Sequence, residues 1–243
     1  MSSGVHHDAV GHQEDLAGER RSTAHGELAA RLADVAASQF PQPDGSVRIL
    51  AQPSDRDAGV ISFTGCAVVF ADADPAWIAA RLPRGDLSAP LSASFLAALG
   101  DHLGRRTHSV DMLTCAPAVT GLPGPELELT ELTASAAEGT PHPRVARALR
   151  HRDDVRAWQT AGGVLIIGRG VASRWETAIE VDPEHRGLGF GTRLAAAART
   201  LVPAGATLWA QIAPANAASV RAFLGAGFRP VGAEALLDTD LRA

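Results

Sequence analysis

The stretch VDPEHRGLGFGTRLAAAA, Val181 to Ala198, decides how this chain is read. Glycines at 187, 189 and 191 alternate with bulkier residues, after a strand-like segment and before an alanine-rich run. A strand that passes through a glycine turn into a helix gathers unpaired backbone N–H groups and the positive end of a helix dipole at one point. That is an anion site. Two phosphate motifs are excluded. Walker A ends in Gly-Lys-Ser/Thr, and this chain contains no lysine. The dinucleotide fingerprint G-x-G-x-x-G requires another glycine spacing and a second parallel strand with an acidic end. The pattern R-x-x-G-x-G remains, met by Arg186, Gly189 and Gly191.

Around this turn the periodicity changes repeatedly. LELTEL (127–132) reads as a strand, and HPRVARALRHR as a helix with Pro143 near its start. VRAWQT and VLIIGRGV read as strands joined through Ala161 to Gly163, and WETAIEV as a third. After the glycine helix come a strand, ATLWAQI, a short helix capped by Asn216, NAASVRAFLGAG, and closing strands in FRPV and EALLDT. The order β, α, β, β, β, α, β, α, β is neither a doubly wound sheet nor a barrel. It predicts an α+β unit whose mixed, mostly antiparallel sheet is flanked by helices.

Upstream, residues 1 to about 26 are polar without apolar period, which predicts a mobile tail. GELAARLADVAASQF then places Leu28, Leu32 and Val35 on one helical face. From Val47 to about Ala118 strands alternate with short helices: GVISFTGCAVVFAD as one bulged strand or a hairpin around Gly65, PAWIAARL capped by Asp74, SASFLAALGDHL, and a strand in HSVDMLTCA. TGLPGPE reads as a linker. The expected division is a tail and helix over 1–45, a small α/β domain over 46–120 and the larger unit over 125–243.

Composition narrows the partners. At 243 residues, with no apolar run of membrane-spanning length and no hydrophobic leader at the start, the sequence predicts a cytoplasmic protein. A net charge of −5 with scattered arginines argues against nucleic acid. Cys66 and Cys115 lie in apolar surroundings and read as reduced core residues; no histidine or cysteine spacing suggests a metal.

Two motifs in order point to one family. Val181, Pro183, Arg186, Gly187, Gly189 and Gly191 match V-x-P-x-x-R-G-x-G-x-G/A, and one strand later Asn216, Ser219, Phe223, Gly227 and Phe228 follow N-x-x-S, an aromatic and Gly-Phe. Over roughly Leu127 to Asp238 the chain resembles the GCN5-related N-acetyltransferase (GNAT) family. The resemblance implies acetyl-CoA as cosubstrate, with its pyrophosphate on the amides of Arg186, Gly187, Leu188, Gly189, Phe190, Gly191 and Thr192. Its pantetheine arm would lie where the strand ending at Val181 splays from the next, pairing with backbone near Ile179 and Val181. Asn216 would face the arm, cap its helix, or both.

Acetyl transfer to an amine needs a neutral amine, a polarised thioester and a proton for the leaving thiolate. Glu176 and Glu180, four apart in a strand, share one face and are the candidate bases; His151, Asp153 and Asp154 are weaker ones. The family commonly has a tyrosine hydroxyl near the sulfur, and here Phe223 stands in its place. Ser219 or water would then donate. The expected function is an acetyl-CoA-dependent N-acetyltransferase acting on a primary amine of a small molecule or peptide, by direct attack on the thioester. The alternative is a non-catalytic acyl-CoA-binding or regulatory module. Because Phe228 is followed by room for only an abbreviated hairpin, the substrate-facing edge falls to the N-terminal domain or to another subunit, as in a homodimer.

Overall fold

The computed structural model describes residues 5–124, 127–132 and 142–239, with side chains from Leu16 onward. Its contacts divide the chain into two compact units. One comprises residues 1–34, 40–108 and 235–243, the other residues 35–39 and 109–234. Where the sequence predicts a tail to about 26, a single helix α1 runs Val5–Ala36. Leu28, Leu32 and Val35 are buried as their shared face predicts.

The first unit holds β1 (Val47–Leu50), β2 (Gly59–Phe63), β3 (Cys66–Phe70), α2 (Pro75–Ala79) and α3 (Ala93–Leu103). β2 and β3 form a hairpin through Gly65, whose φ of 74° favours glycine, and β1 adds parallel to β3. The helix caps are local chemistry. Asp74 accepts from the Ala76 N–H, Ser92 from that of Phe95, and Gly104 closes α3 in the left-handed conformation. Arg21 of α1 is tied to Asp55 and Asp72.

The second unit holds β4 (Asp111–Pro117), β5 (Thr130–Glu131), α4 (Pro143–His151), β6 (Asp153–Thr160), β7 (Gly163–Arg169), β8 (Trp175–Val181), α5 (Phe190–Ala198), β9 (Thr207–Ile212), α6 (Ala217–Gly225) and most of β10 (Arg229–Leu236). Its strands lie in the order β10-β4-β9-β8-β7-β6-β5, all neighbours antiparallel except β8 and β9. This is an α+β unit with a mixed, mostly antiparallel sheet. The sequence-predicted order from LELTEL onward is the order found.

Two differences from the sequence reading matter. β4, expected in the small upstream domain, lies in the larger unit between β9 and β10. FRPV and EALLDT are not two strands but one, β10, bulged between Pro230 and Gly232. Pro230 has no N–H to donate, so a ladder passing through it is readily interrupted there. β4 is the antiparallel neighbour of both β9 and β10.

Both faces of this sheet are covered. β7 alternates Leu165 and Ile167 into a core with Phe190, Leu194, Ala198, Phe223 and Phe228, and Val164 and Ile166 into a smaller one with Ala148 of α4. The first core is the α5 and α6 face, the second the α4 face. Cys66 and Cys115 are free, buried thiols.

Candidate functional site

The site begins where β8 and β9 part. They pair in parallel only at Trp175 with Leu208 and Glu176 with Trp209. Beyond Glu176, β8 continues against β7 alone, as far as Val181 opposite Gly163. The Asp182 N–H donates to the Gly162 carbonyl at 3.0 Å, just outside that last pair. Val181 and Gly163 are therefore a non-hydrogen-bonded pair, and by alternation the N–H and C=O groups of Val181 and Ile179 point to the edge that β9 has left. The Arg186 Nε holds the Val181 carbonyl at 3.1 Å. The Ile179 and Val181 side chains pack against the α5 core. Among the described residues, past Glu176 no β9 partner pairs with this edge of β8, and at Val181 only the carbonyl is occupied, by Arg186.

At the open end of the split stands the glycine turn. A short 3-10 turn, Pro183–His185, leads into it, Gly187 and Gly189 take φ of 77° and 74°, and Gly189 caps α5. No side chain reaches back to cap this helix. Outside α5 no close, well-aligned hydrogen bond joins the amides of residues 187 to 192 to a backbone carbonyl among the described residues; the Arg193 N–H donates to Gly189 at 3.2 Å. Six successive N–H groups at a helix N-terminus can hold an anion. Gly191 faces α6: a Cβ there would meet that of Ala222 at 3.4 Å. Leu188 is exposed and Phe190 is buried in the core. The sequence reading missed Arg193, whose guanidinium donates to the Leu188 carbonyl at 3.3 Å and lies over the turn. With Arg186 it sets two positive charges beside the turn.

Asn216 caps α6, its Oδ1 accepting from the Ser219 N–H at 3.0 Å. Ser219 is half-buried in the first turn of α6. Phe223, which stands where the family commonly has a tyrosine near the sulfur, is buried in the core, edge-on to Phe228 with ring centroids 4.9 Å apart.

The two candidate bases share the α4 face, as their spacing predicts, but their surroundings differ. Glu180 is half-exposed and pairs with Arg144 at 3.1 Å, close to His142. Glu176 is buried, 3% exposed, and bound by Arg152 at 2.9 Å, Arg174 at 2.8 Å and the Gln211 amide at 2.9 Å. Burial raises its pKa, but Arg174 and Arg152 outweigh burial and hold it at about 2. A carboxylate so committed makes a poor proton acceptor at neutral pH. The reading of Glu176 as a base is replaced by one in which it anchors Arg152 and Arg174. Asp154, at φ 49° where β6 loses register, serves the bulge.

The network extends beyond what sequence spacing reveals. Arg174 also binds Glu234 of β10 at 2.7 Å, and Gln211 reaches Glu234 at 3.0 Å. Burial raises the Glu234 pKa, and Arg174 offsets that only in part. Gly170 belongs here too: a Cβ on it would fall 2.1 Å from the Glu176 Cδ. The one signal in the sequence was that Gln211 and Glu234 are single polar residues in otherwise apolar strands, WAQIA and GAEALL. Asp182, Glu184 and His185, before the glycine turn, bring one ligand atom each within 4.8 Å of the others, and all three are at least partly exposed. Acidic groups cluster on surfaces without binding an ion, so this trio by itself assigns no metal.

A parallel pair that splits beside a helix N-terminus is an arrangement that can take an extended ligand bearing an anion. Residues 177–236 match the FR47-like protein family model, and this segment is an FR47-like, GNAT-related domain. Such a domain implies acyl-CoA as the class of ligand. Among solved structures, the chain is similar to a GCN5-related N-acetyltransferase from Kribbella flavida, at 14% identity and a TM-score of 0.39. That similarity covers 59% of this chain and 63% of the other. No curated protein matches. Among the described residues no helix is long and apolar enough to cross a membrane.

Proposed function

We propose that this protein is an acetyl-CoA-dependent N-acetyltransferase that acetylates a primary amine of a small molecule or peptide. The observation that carries the reading is the junction of two features: the edge of β8 at Ile179 and Val181, which β9 has left, and the amides of residues 187 to 192 at the glycine turn. The amides, with Arg186 and Arg193, would hold the pyrophosphate. The pantetheine arm would run down the open edge as a substitute strand, its thioester end toward the last pair, Glu176 with Trp209. Asn216, fixed at the start of α6, would meet the arm from the other side. Direct attack by a neutral amine then forms the amide and expels the thiolate, which takes its proton from water or Ser219, since Phe223 has no hydroxyl.

The test is thiol release from acetyl-CoA across a panel of primary amines, alongside calorimetry with CoA. Tight CoA binding and amine-dependent thiol release are expected; background release with every amine at saturating acetyl-CoA would refute the reading. A second reading, a non-catalytic acyl-CoA-binding module, is favoured by Phe223 and by the committed charge of Glu176. It requires CoA binding without turnover.

A further inference from the structure

Among the described residues, five buried side-chain polar atoms have no hydrogen-bond partner: Arg31 Nε, Asp111 Oδ1, Arg174 Nη1, His185 Nδ1 and Glu234 Oε1. Three of the five belong to one neighbourhood. Asp111 of β4 and Glu234 of β10 stand directly opposite in an antiparallel pair, so their side chains leave the same face of the sheet. Arg174 is bonded to Glu234 through its other Nη. Buried polar atoms are rarely left unpaired, because each forfeits its hydration, so three together call for a partner. Glu234 is 2% exposed and Arg174 7%.

The chemistry of the three atoms describes that partner. Two carboxylate oxygens ask for donors, and a protonated primary amine has three. The guanidinium N–H asks for an acceptor close by. An ammonium with a carbonyl or carboxylate oxygen one carbon away, as in an amino acid or a peptide N-terminus, satisfies all three. The place fits as well. Gln211, two residues past the last β8–β9 pair, bonds both Glu176 and Glu234, so Glu234 is tied to the closed end of the split. On the acetyltransferase reading, the thioester arrives there.

We propose that Asp111 and Glu234 receive the acceptor ammonium, that Arg174 holds its neighbouring oxygen, and that Glu234 takes the proton that frees the nitrogen lone pair. This rests on the acetyltransferase reading. One N–H proton passes from the ammonium to the Glu234 carboxylate. The neutral nitrogen forms a bond to the thioester carbonyl carbon, the C–S bond breaks, and its electron pair leaves with sulfur. A second N–H proton passes through solvent to the thiolate, and Glu234 returns its proton to solvent, leaving amide and thiol. Two carboxylates kept at different acidities by their surroundings suit such a division: Glu176 stays charged, and Glu234, raised by burial, can be protonated. Among the described residues, Arg174 is bonded to Glu234, Asp111 stands opposite it in the sheet, and Glu176 shares Arg174 and Gln211 with it, with Arg152 behind Glu176.

The test compares alaninamide, alanine, alanylglycylglycine and isopropylamine, the last being the alanine skeleton without its oxygen. With wild type, kcat/KM for isopropylamine should fall at least about 10-fold below that for alaninamide. Alanine against alanylglycylglycine separates a free amino acid from a peptide terminus. Glu234→Gln should lower kcat by about 100-fold or more, the scale of a lost general base, with the KM for acetyl-CoA unchanged and the acid limb of the pH profile removed. Asp111→Asn, which breaks no ion pair among the described residues, should raise the KM for alaninamide about 10-fold while CoA binding is retained. Calorimetry of alaninamide with the CoA-bound wild type and Asp111→Asn stands independently of turnover: a wild type that binds alaninamide but releases no thiol refutes the acetyltransferase reading and leaves the ammonium pair supported. Asp111→Asn binding alaninamide as wild type does overturns the proposal and assigns the three atoms to water.

Discussion

Replacing Glu176 by glutamine keeps the shape of a side chain on which Arg152, Arg174 and Gln211 converge, and removes its charge. A buried carboxyl held at about 2 in place of its ordinary 4.5 contributes roughly 3 kcal/mol of folding free energy at neutral pH, at about 1.4 kcal/mol per pH unit. Breaking a buried ion pair by removing one partner costs a similar ~3–5 kcal/mol. Glu176→Gln should therefore lower the Tm at pH 7 by about 6 to 12 °C for a chain of this size. The sign with pH follows from the lowered pKa. The carboxylate's contribution is complete above about 4.5 and fades as the pH falls through about 2, so the gap between wild type and variant should close on acidification. Urea unfolding at pH 7 and pH 3 measures both. A variant within 1 kcal/mol of wild type at pH 7, but with kcat reduced 100-fold or more, would refute the structural role and restore Glu176 as a base.

Other outcomes follow from single contacts. Gly170→Ala would drive a Cβ into the Glu176 carboxylate and should destabilise the protein nearly as much as Glu176→Gln, with little added loss in the double variant. Gly189→Ala, at φ 74°, should cost ~1–2 kcal/mol of backbone strain at the turn and weaken CoA binding in calorimetry. Asn216→Ala should cost about 1 kcal/mol in urea unfolding by loss of the α6 cap. Asn216→Asp keeps the cap, so a fall in CoA affinity in that variant would mark a direct contact with the arm. Phe223→Tyr should destabilise by ~1–3 kcal/mol, since the core around Phe228 offers no evident partner for a hydroxyl; a rise in kcat would instead show that the hydroxyl reaches the thiolate.

Much of the larger unit was legible because its signals are local. The glycines of 187 to 191, the Asn216 cap and the alternation of β6, β7 and β8 lie within a few residues of what they determine. The shared face of Glu176 and Glu180 was legible for the same reason, since side-chain direction in a strand has a period of two. What each carboxylate meets on that face was not. Glu180 finds Arg144, 36 positions away, and Glu176 finds Arg152, 24 away. No periodicity carries pairings of that kind.

By itself the sequence determined the order of elements, the turn that can hold an anion and the helix that follows it, because backbone preference, capping and hydrophobic period act over one or two turns of chain. Only the tertiary structure decided that β4 leaves the upstream strands to sit between β9 and β10, a contact that joins Thr114 to Ala210 across 96 positions. The same placement sets Asp111 beside Glu234, and Arg174 closes the group across 60 positions. The physical reason is that a sheet edge takes whichever strand satisfies its backbone and buries its apolar face, wherever in the chain that strand lies.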